Sequence, residues 1–292
     1  MNDNPKFIAI LLLILLALIW GTSFILIKQG LKVFAPDEVG ALRVSAASLF
    51  LVPLATTKLR ELKLVHYGRL LLSGLLGIFF PAFLFAFAQT RLESSVTGIA
   101  NSLTPIFTLV IGAIVFHQPF RRASILGIII GLGGTILLIL SNSGEGISGV
   151  NLYILLVILG CVFYAINLNF IKYRIPDVTS LTITSVSLLL IGPLAIGYLL
   201  GVTDFVKTLQ NETGAWRAFG FVALLGFMST SVATLIFNKL VKISSPLFTS
   251  SVTYLIPMVA VMWGVLDGEK LYAGHYAGMV AIIAGVYLAN KK

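Results

Sequence analysis

Apolar residues along this chain gather into long runs, broken by short polar turns. A helix that crosses the hydrocarbon core of a bilayer needs roughly 20 apolar residues. About ten stretches meet that need: 7–30, 36–57, 68–90, 94–116, 123–141, 150–171, 178–200, 215–238, 243–266 and 271–290. The connections hold most of the charge, and none is long enough for a soluble domain. The pattern predicts an all-α integral membrane protein with ten transmembrane helices. The first run has little charge before it and no small-residue cleavage site after it, so it reads as a retained helix rather than a signal peptide.

Lys and Arg in the turns set the direction of threading. With the N-terminus inside, thirteen of them fall at inside positions, among them Arg60, Lys63, Arg121, Arg122, Lys172 and Lys242. Six fall outside: Lys28, Lys32, Arg91, Lys207, Arg217 and Lys270. Both termini are therefore expected in the cytoplasm.

The chain also repeats itself. IWGTSFILIK at 19–28 answers to FYAINLNFIK at 163–172, an offset of 144. Pro36, Asp37, Ser45 and Pro53 answer to Pro176, Asp177, Ser185 and Pro193 at an offset of 140. Pro105 and Gly112 answer to Pro257 and Gly264, and Gly127 and Gly134 to Gly278 and Gly285. These matches keep their order, as a duplication requires. The expected organisation is a first five-helix repeat at 1–141, a connecting loop at 142–149 and a second repeat at 150–292. Five is an odd number of crossings, so the second repeat must be inverted. Inverted repeats commonly meet around a central cavity that opens alternately to either side. A duplicated scaffold without a pathway is the competing expectation.

Composition narrows the partners. The chain is 58% hydrophobic and 11% charged, with a mean hydropathy of +1.02, whereas a soluble domain carries about 25% charged residues. That argues against a soluble enzyme, a nucleic-acid binder or a disordered chain. The net charge of +9 is scattered between apolar runs, so topology explains it better than nucleic acid does. The expected partners are the lipid bilayer and a small-molecule substrate, with a monomer sufficient. Cys161 is the single cysteine. It allows no internal disulfide and no multi-cysteine metal site, and no cofactor is expected.

Polar side chains inside apolar helices point at other helices or at water. The fourth span carries Thr97, Asn101, Thr104 and Thr108 on one helical face. The eighth carries Thr230, Ser231, Thr234 and Asn238, and the ninth Thr249, Thr253 and beside them Tyr254. Interhelical hydrogen bonding is the plain alternative for each. Trp20 lies about 20 Å along the first span, and its counterpart Tyr164 about 21 Å along the sixth, at 1.5 Å per residue. Either is a candidate to stack on a substrate or close a gate, with packing as the alternative; Ser23 and Asn167 accompany them. The third span offers Phe80, Phe83 and Phe87 as one stripe, facing either a solute or lipid. The substrate-binding candidates are Trp20, Ser23, Arg43, Phe83, Phe87, Thr97, Asn101, Thr104, Tyr164, Asn167, Thr230, Thr234, Thr253 and Tyr254.

Arg43 is the one charge deep inside a span, about 10 Å from its start. A charge there suggests function by default, and bonding to helix ends is the structural alternative. All eleven acids fall in loops or at span ends, as do His66, His117 and His275. Proton carriers usually keep such a group in the pathway, so weak or absent direct proton coupling is expected. An intramembrane enzyme is disfavoured, since Cys161 has no His in support. A lipid flippase is the other alternative.

IWGTSF, the Arg of GALRVSA, SLTPIFTLVIGAIVF, TYLIPMVAVMWGVLDGEKL and GMVAIIAGVYL together resemble the drug/metabolite transporter superfamily, in its EamA-type ten-helix branch. The resemblance covers essentially the whole chain. It implies a cavity formed by helices 1, 3, 4, 6, 8 and 9, and an exporter or facilitator of small metabolites such as amino acids. One departure stands out. The ninth span ends in Gly268-Glu269, while the fourth ends in His117-Gln118, where a Glu is common in the family.

Overall fold

A computed structural model describes residues 5–118, 122–141, 151–244 and 246–290. The expected connecting loop at 142–149 lies outside them. Each apolar run becomes helix, and no strand occurs among the described residues. We label the helices α1 (Pro5–Gly30), α2 (Pro36–Lys58), α3 (Leu64–Ala88), α4 (Ser94–Phe116), α5 (Arg122–Ser141), α6 (Ile154–Arg174), α7 (Ser180–Gly201), the short α8 (Phe205–Asn211), α9 (Ala215–Ile243), α10 (246–266) and α11 (Ala273–Asn290).

Seven described segments, in α1 to α4, α6, α7 and α9, are long and apolar enough to cross a bilayer. The other three expected runs contain shorter apolar helices: Ile125–Gly134, Ile256–Leu266 and Ala273–Gly285. In α10 the shortening has a visible cause. A 3₁₀ turn at Ser251–Tyr254 separates Pro246–Ser250 from Ile256–Leu266. The exposed surface is apolar, with Leu11, Leu18, Ile129, Ile136, Met258 and Val280 all facing outward. In a multi-pass membrane protein that surface meets lipid tails.

Helices pack where small residues let backbones approach. α2 lies along α7, and Gly192 of α7 faces Ser48 of α2. α5 lies along α11, with Gly285 against the backbone of Gly127 and Gly131. α1 contacts α9 and α10, while α6 contacts α3 and α4.

Four helices are irregular in their middle. α3 contains a π-helical turn at Leu75–Phe79, and α9 contains one at Leu225–Val232. α4 contains a 3₁₀ turn at Asn101–Leu103, and α10 the one named above. Pro81, Pro105 and Pro257 each follow such a turn, at the first or second position of the α-helix that resumes. Proline is tolerated there because that position needs no intrahelical N–H bond. The irregular turns free backbone groups and sit beside the site described next.

Candidate functional site

A cavity of about 80 Å³ is lined by mid-helix residues. One water needs roughly 15 Å³, so there is room for a small solute. α1 supplies Trp20, Ser23, Phe24 and Ile27, one face at helical spacing. α2 supplies Arg43, and α3 supplies Gly77 and Phe85. Asn101 and Thr104 come from α4, and Tyr164, Asn167 and Leu168 from α6. Thr234, Phe237 and Asn238 come from α9, and Ser250, Thr253 and Ile256 from α10.

Several of these side chains are held by named partners. Trp20 Nε1 donates to the Ser229 carbonyl at 2.9 Å, and its ring meets Phe237 edge-on with centroids 4.8 Å apart. Ser23 Oγ donates to Ser229 Oγ at 2.8 Å. Arg43 Nε donates to Thr230 Oγ1 at 2.7 Å, and the Tyr164 hydroxyl sits beside the same guanidinium. Asn167 Oδ1 accepts from Ser73 Oγ at 2.7 Å, while Asn238 Nδ2 donates to Thr184 Oγ1 at 2.8 Å. The wall is therefore a mixture of fixed amides and hydroxyls with aromatic faces, one cation, and no Asp, Glu or His among the described lining residues.

Of the sequence candidates, Trp20, Ser23, Arg43, Asn101, Thr104, Tyr164, Asn167, Thr234 and Thr253 come together in this wall. Others do not. Phe87 is 40% exposed and Phe80 of the same stripe 42% exposed, both on the outer surface. Phe83 packs on Gly40 and Tyr198 instead. The phenylalanine of α3 that reaches the cavity is Phe85, on the opposite face. Thr97 is buried away from the cavity, and its hydroxyl donates to the Glu93 carbonyl one turn earlier. Thr97 lies one turn before Asn101, near the start of α4, beyond the lining residues and toward the end where Ser94 and Ser95 hold Glu269. Thr230 stands behind the wall as the acceptor for Arg43. The Tyr254 side chain lies outside the described residues. Phe24, Ile27, Leu168 and Phe237 were not singled out from sequence. Their signal was the helical spacing from Trp20, Tyr164 and Thr234, at three, four or seven residues. Cys161 is buried with Sγ 3.8 Å from the Ala100 carbonyl. No group of three or more His, Cys, Asp or Glu suited to a metal occurs among the described residues.

The model of the EamA-like transporter family matches this sequence twice, over residues 7–140 and 151–291. The chain belongs to the EamA-like transporter family. It is similar to the "Uncharacterized inner membrane transporter YedA" of Escherichia coli strain K12, with 27% identity over 94% of this chain and 88% of that one. It is 26% identical to a "Probable amino-acid metabolite efflux pump" of Salmonella typhimurium, over 99% of this chain and 95% of that one. A solved crystal structure at 17% identity covers 97% of this chain and 96% of its own, with a TM-score of 0.68; that likeness concerns the fold alone. An EamA-family membrane transporter is thus the setting for the cavity.

In this transporter two lysines just beyond the lining residues of α1 and α6 are held differently. At the α1–α2 end, Lys28 follows the lining residue Ile27. Its Nζ lies 2.8 Å from Glu269, 2.9 Å from Asp267 and 3.2 Å from Glu93. Glu269 also accepts from the Ser94 and Ser95 amides at 3.0 and 3.1 Å, and from both hydroxyls. A carboxylate suits this place because the first N–H groups of α4 have no intrahelical acceptors. Burial pushes the Glu269 carboxyl up, but the bonds from Lys28, Ser94 and Ser95 outweigh it and hold the pKa at about 2. Near the end of α6, Lys172, which stands 144 residues after Lys28, donates to the Val241 and Ser244 carbonyls at 3.2 and 2.6 Å.

The His117-Gln118 departure now has a physical reading. His117 and Gly268 both take left-handed backbone, with φ of 53° and 82°. The next residues, Gln118 and Glu269, both donate their N–H to a glycine carbonyl, Gly112 and Gly264. The left-handed residue is common to both turns, but the bond closes over six residues at Gln118 and five at Glu269, and the acid is present only in the second. At the offset of 152, the positions of Ser94 and Ser95 correspond to Pro246 and Leu247, which lack the hydroxyls, and Pro246 also lacks the N–H that a carboxylate would cap.

Proposed function

We propose that this transporter moves small neutral, zwitterionic or aromatic metabolites, amino acids among them, by alternating access through the cavity. In this reading the chain is two inverted five-helix repeats, residues 1–141 and 150–292. Trp20, Ser23, Arg43, Asn101, Thr104, Tyr164, Asn167, Thr234 and Thr253 contact the solute.

One observation carries the reading. The cavity wall contains residues paired by the repeat offsets themselves. Trp20 with Tyr164, Ser23 with Asn167 and Phe24 with Leu168 share the offset of 144, and Asn101 with Thr253 and Thr104 with Ile256 share 152. A site built from matching positions of both halves is what rocking repeats expose in turn. Contacts between counterpart helices support the same view: α2 with α7, and α5 with α11. The double family match does so too, and the Salmonella relative's printed name supports amino-acid metabolites and the export direction. The Lys and Arg bias supports cytoplasmic termini, and in that orientation the Lys28–Glu269 end faces outward. The described wall offers no acid or histidine to carry a proton, so exchange or facilitated movement down a solute gradient is the expected mode.

The test is counterflow in proteoliposomes with a panel of labelled amino acids. Protein-dependent exchange of a neutral or aromatic member is expected. No exchange with any member defeats the substrate class, and strong uphill uptake driven by a pH gradient alone defeats the coupling mode.

A further inference from the structure

Arg43 is a buried cation in the cavity wall with no ion pair among the described residues. It is 8% exposed. The acids of its own helix are engaged at the helix start, where Glu38 accepts from the Ala35 amide and Asp37 from the Tyr198 hydroxyl. α9 faces it with Thr230, and α6 with Tyr164. Neither is an acid. Charges inside membrane spans almost always pair with something, and those that line a cavity mark a solute path.

The guanidinium is a flat fork with five N–H donors. The bond from Nε to Thr230 Oγ1 fixes the plane of that fork. A planar fork held this way matches a carboxylate in bidentate fashion, which a lysine would not. Around it the wall is largely apolar, through Trp20, Phe24, Phe85, Phe237 and Ile256. An ammonium group would meet amide and hydroxyl oxygens there, but no carboxylate among the described lining residues.

We propose that the cavity takes small organic monocarboxylates, with Arg43 as the counter-charge for the carboxylate, and that an α-ammonium group is not part of what is recognised. This rests on the cavity being the substrate site, and it narrows the substrate class. The 2-hydroxy acid of a given skeleton then binds as well as the amino acid, while the matching amine or amide does not.

The experiment measures ligand stabilisation of the purified full-length protein in detergent. A ligand that binds only the folded state raises the unfolding temperature, through a stabilisation that grows with the logarithm of its concentration over its dissociation constant. The probes are matched sets on two skeletons: phenyllactate, phenylalanine, phenyllactamide and phenethylamine, and their isobutyl analogues. Expected is binding of the hydroxy acid within about threefold of the amino acid, with the amide and amine at least about tenfold weaker, as for loss of one partner of a buried charge pair. Arg43→Lys keeps the acid-over-amide order at lower affinity, and Arg43→Gln removes it. Should Arg43→Gln fail to fold, the acid and amide comparison on the unaltered protein decides. Equal binding of amine and acid, an amino acid that binds while its hydroxy acid does not, or no stabilisation by any carboxylate overturns the proposal. Flux separates the two readings. Carboxylate binding without exchange in vesicles counts against transport through this cavity, and exchange without acid preference counts against Arg43 as the anchor.

Discussion

Lys28 and Glu269 stand 241 residues apart in sequence, and their charged groups meet at 2.8 Å. The contact joins the end of α1 to the turn after α10, and through Ser94 and Ser95 to the start of α4. Three helices that line the cavity are thus tied at one point, one residue beyond the wall at Ile27. Withdrawal of the α10 end from α1 and α4 has to break the ion pair and uncap α4 together.

Glu269→Gln is expected to loosen this end. The neutral amide loses the ion pair and can accept only weakly from the two serines. Hydrogen bonds to charged groups contribute about 1.5–3 kcal/mol, so a loss of that size in unfolding free energy in detergent is expected. The labelling rate of a cysteine placed by Ile27→Cys should rise with it, Cys161 being buried. The pH profile follows from the direction of the shift. The folded carboxyl, held at about 2, lies below its usual 4.5, so its contribution is complete above pH 4.5 and is lost as pH falls toward 2. Labelling of Ile27→Cys should be flat from neutral pH down to about 5 and climb only below that. A rise between pH 8 and 6 would mean that another group holds this end.

Gly264→Ala should act on the same contact from behind. A Cβ there would stand 2.3 Å from Glu269 Oε2 and 3.0 Å from Ser95 Cβ. Overpacking of this kind costs about 1–3 kcal/mol. Because the damage falls on one cluster, Gly264→Ala combined with Glu269→Gln should cost less than the two separately. Additive losses in a double-mutant cycle would show that the alanine strains something else.

Much of this was legible in sequence. The runs, the repeat offsets and the helical stripes were enough to place Trp20, Tyr164, Asn101, Thr104 and Thr253 toward a common interior, because an α-helix holds its register over a few turns. The failures have physical causes. Thr97 shares the stripe but lies a turn nearer the start of α4 than Asn101, and the depth at which a stripe meets the cavity is not written in its spacing. Phe87 was ambiguous because lipid and an aromatic cavity ask the same of a side chain, and only packing decides which phenylalanine of α3 turns inward. The partners of Glu269 come from α1 and α4, distant in sequence, and no local spacing announces them.

The α5–α11 contact predicts a clean pair of outcomes. A Cβ on Gly285 would lie 2.4 Å from the Gly131 amide nitrogen and 2.5 Å from the Gly127 carbonyl. Backbone atoms cannot swing aside, so Gly285→Ala should push the helices apart and cost about 1–3 kcal/mol in thermal unfolding. Gly133, on α5, has nothing within 4 Å of its added Cβ. Gly133→Ala should be neutral or slightly stabilising, through better helix propensity. Equal losses at both sites would place the α5–α11 interface elsewhere.

Phe85 and Phe87 separate the cavity from the lipid face by a two-residue step. Phe85 is 3% exposed, packs its ring 5.8 Å from that of Tyr164 and lines the cavity. Phe87 is 40% exposed, outside it. Truncating a buried phenylalanine costs about 3–5 kcal/mol and leaves a void. In Phe85→Ala that void enlarges the cavity beside Tyr164, so solute exchange in proteoliposomes should fall by about tenfold or shift toward bulkier solutes, as 1.4 kcal/mol at a binding site is a factor of ten. Phe87→Ala removes a ring that meets lipid tails, and exchange should stay within about twofold. Phe85→Leu keeps most of the volume and should recover stability but not the preference for aromatic solutes, because the contact with Tyr164 is lost while the packing is kept. If Phe87→Ala impairs exchange as much as Phe85→Ala does, the solute path runs along the outer face of α3 and not through the cavity.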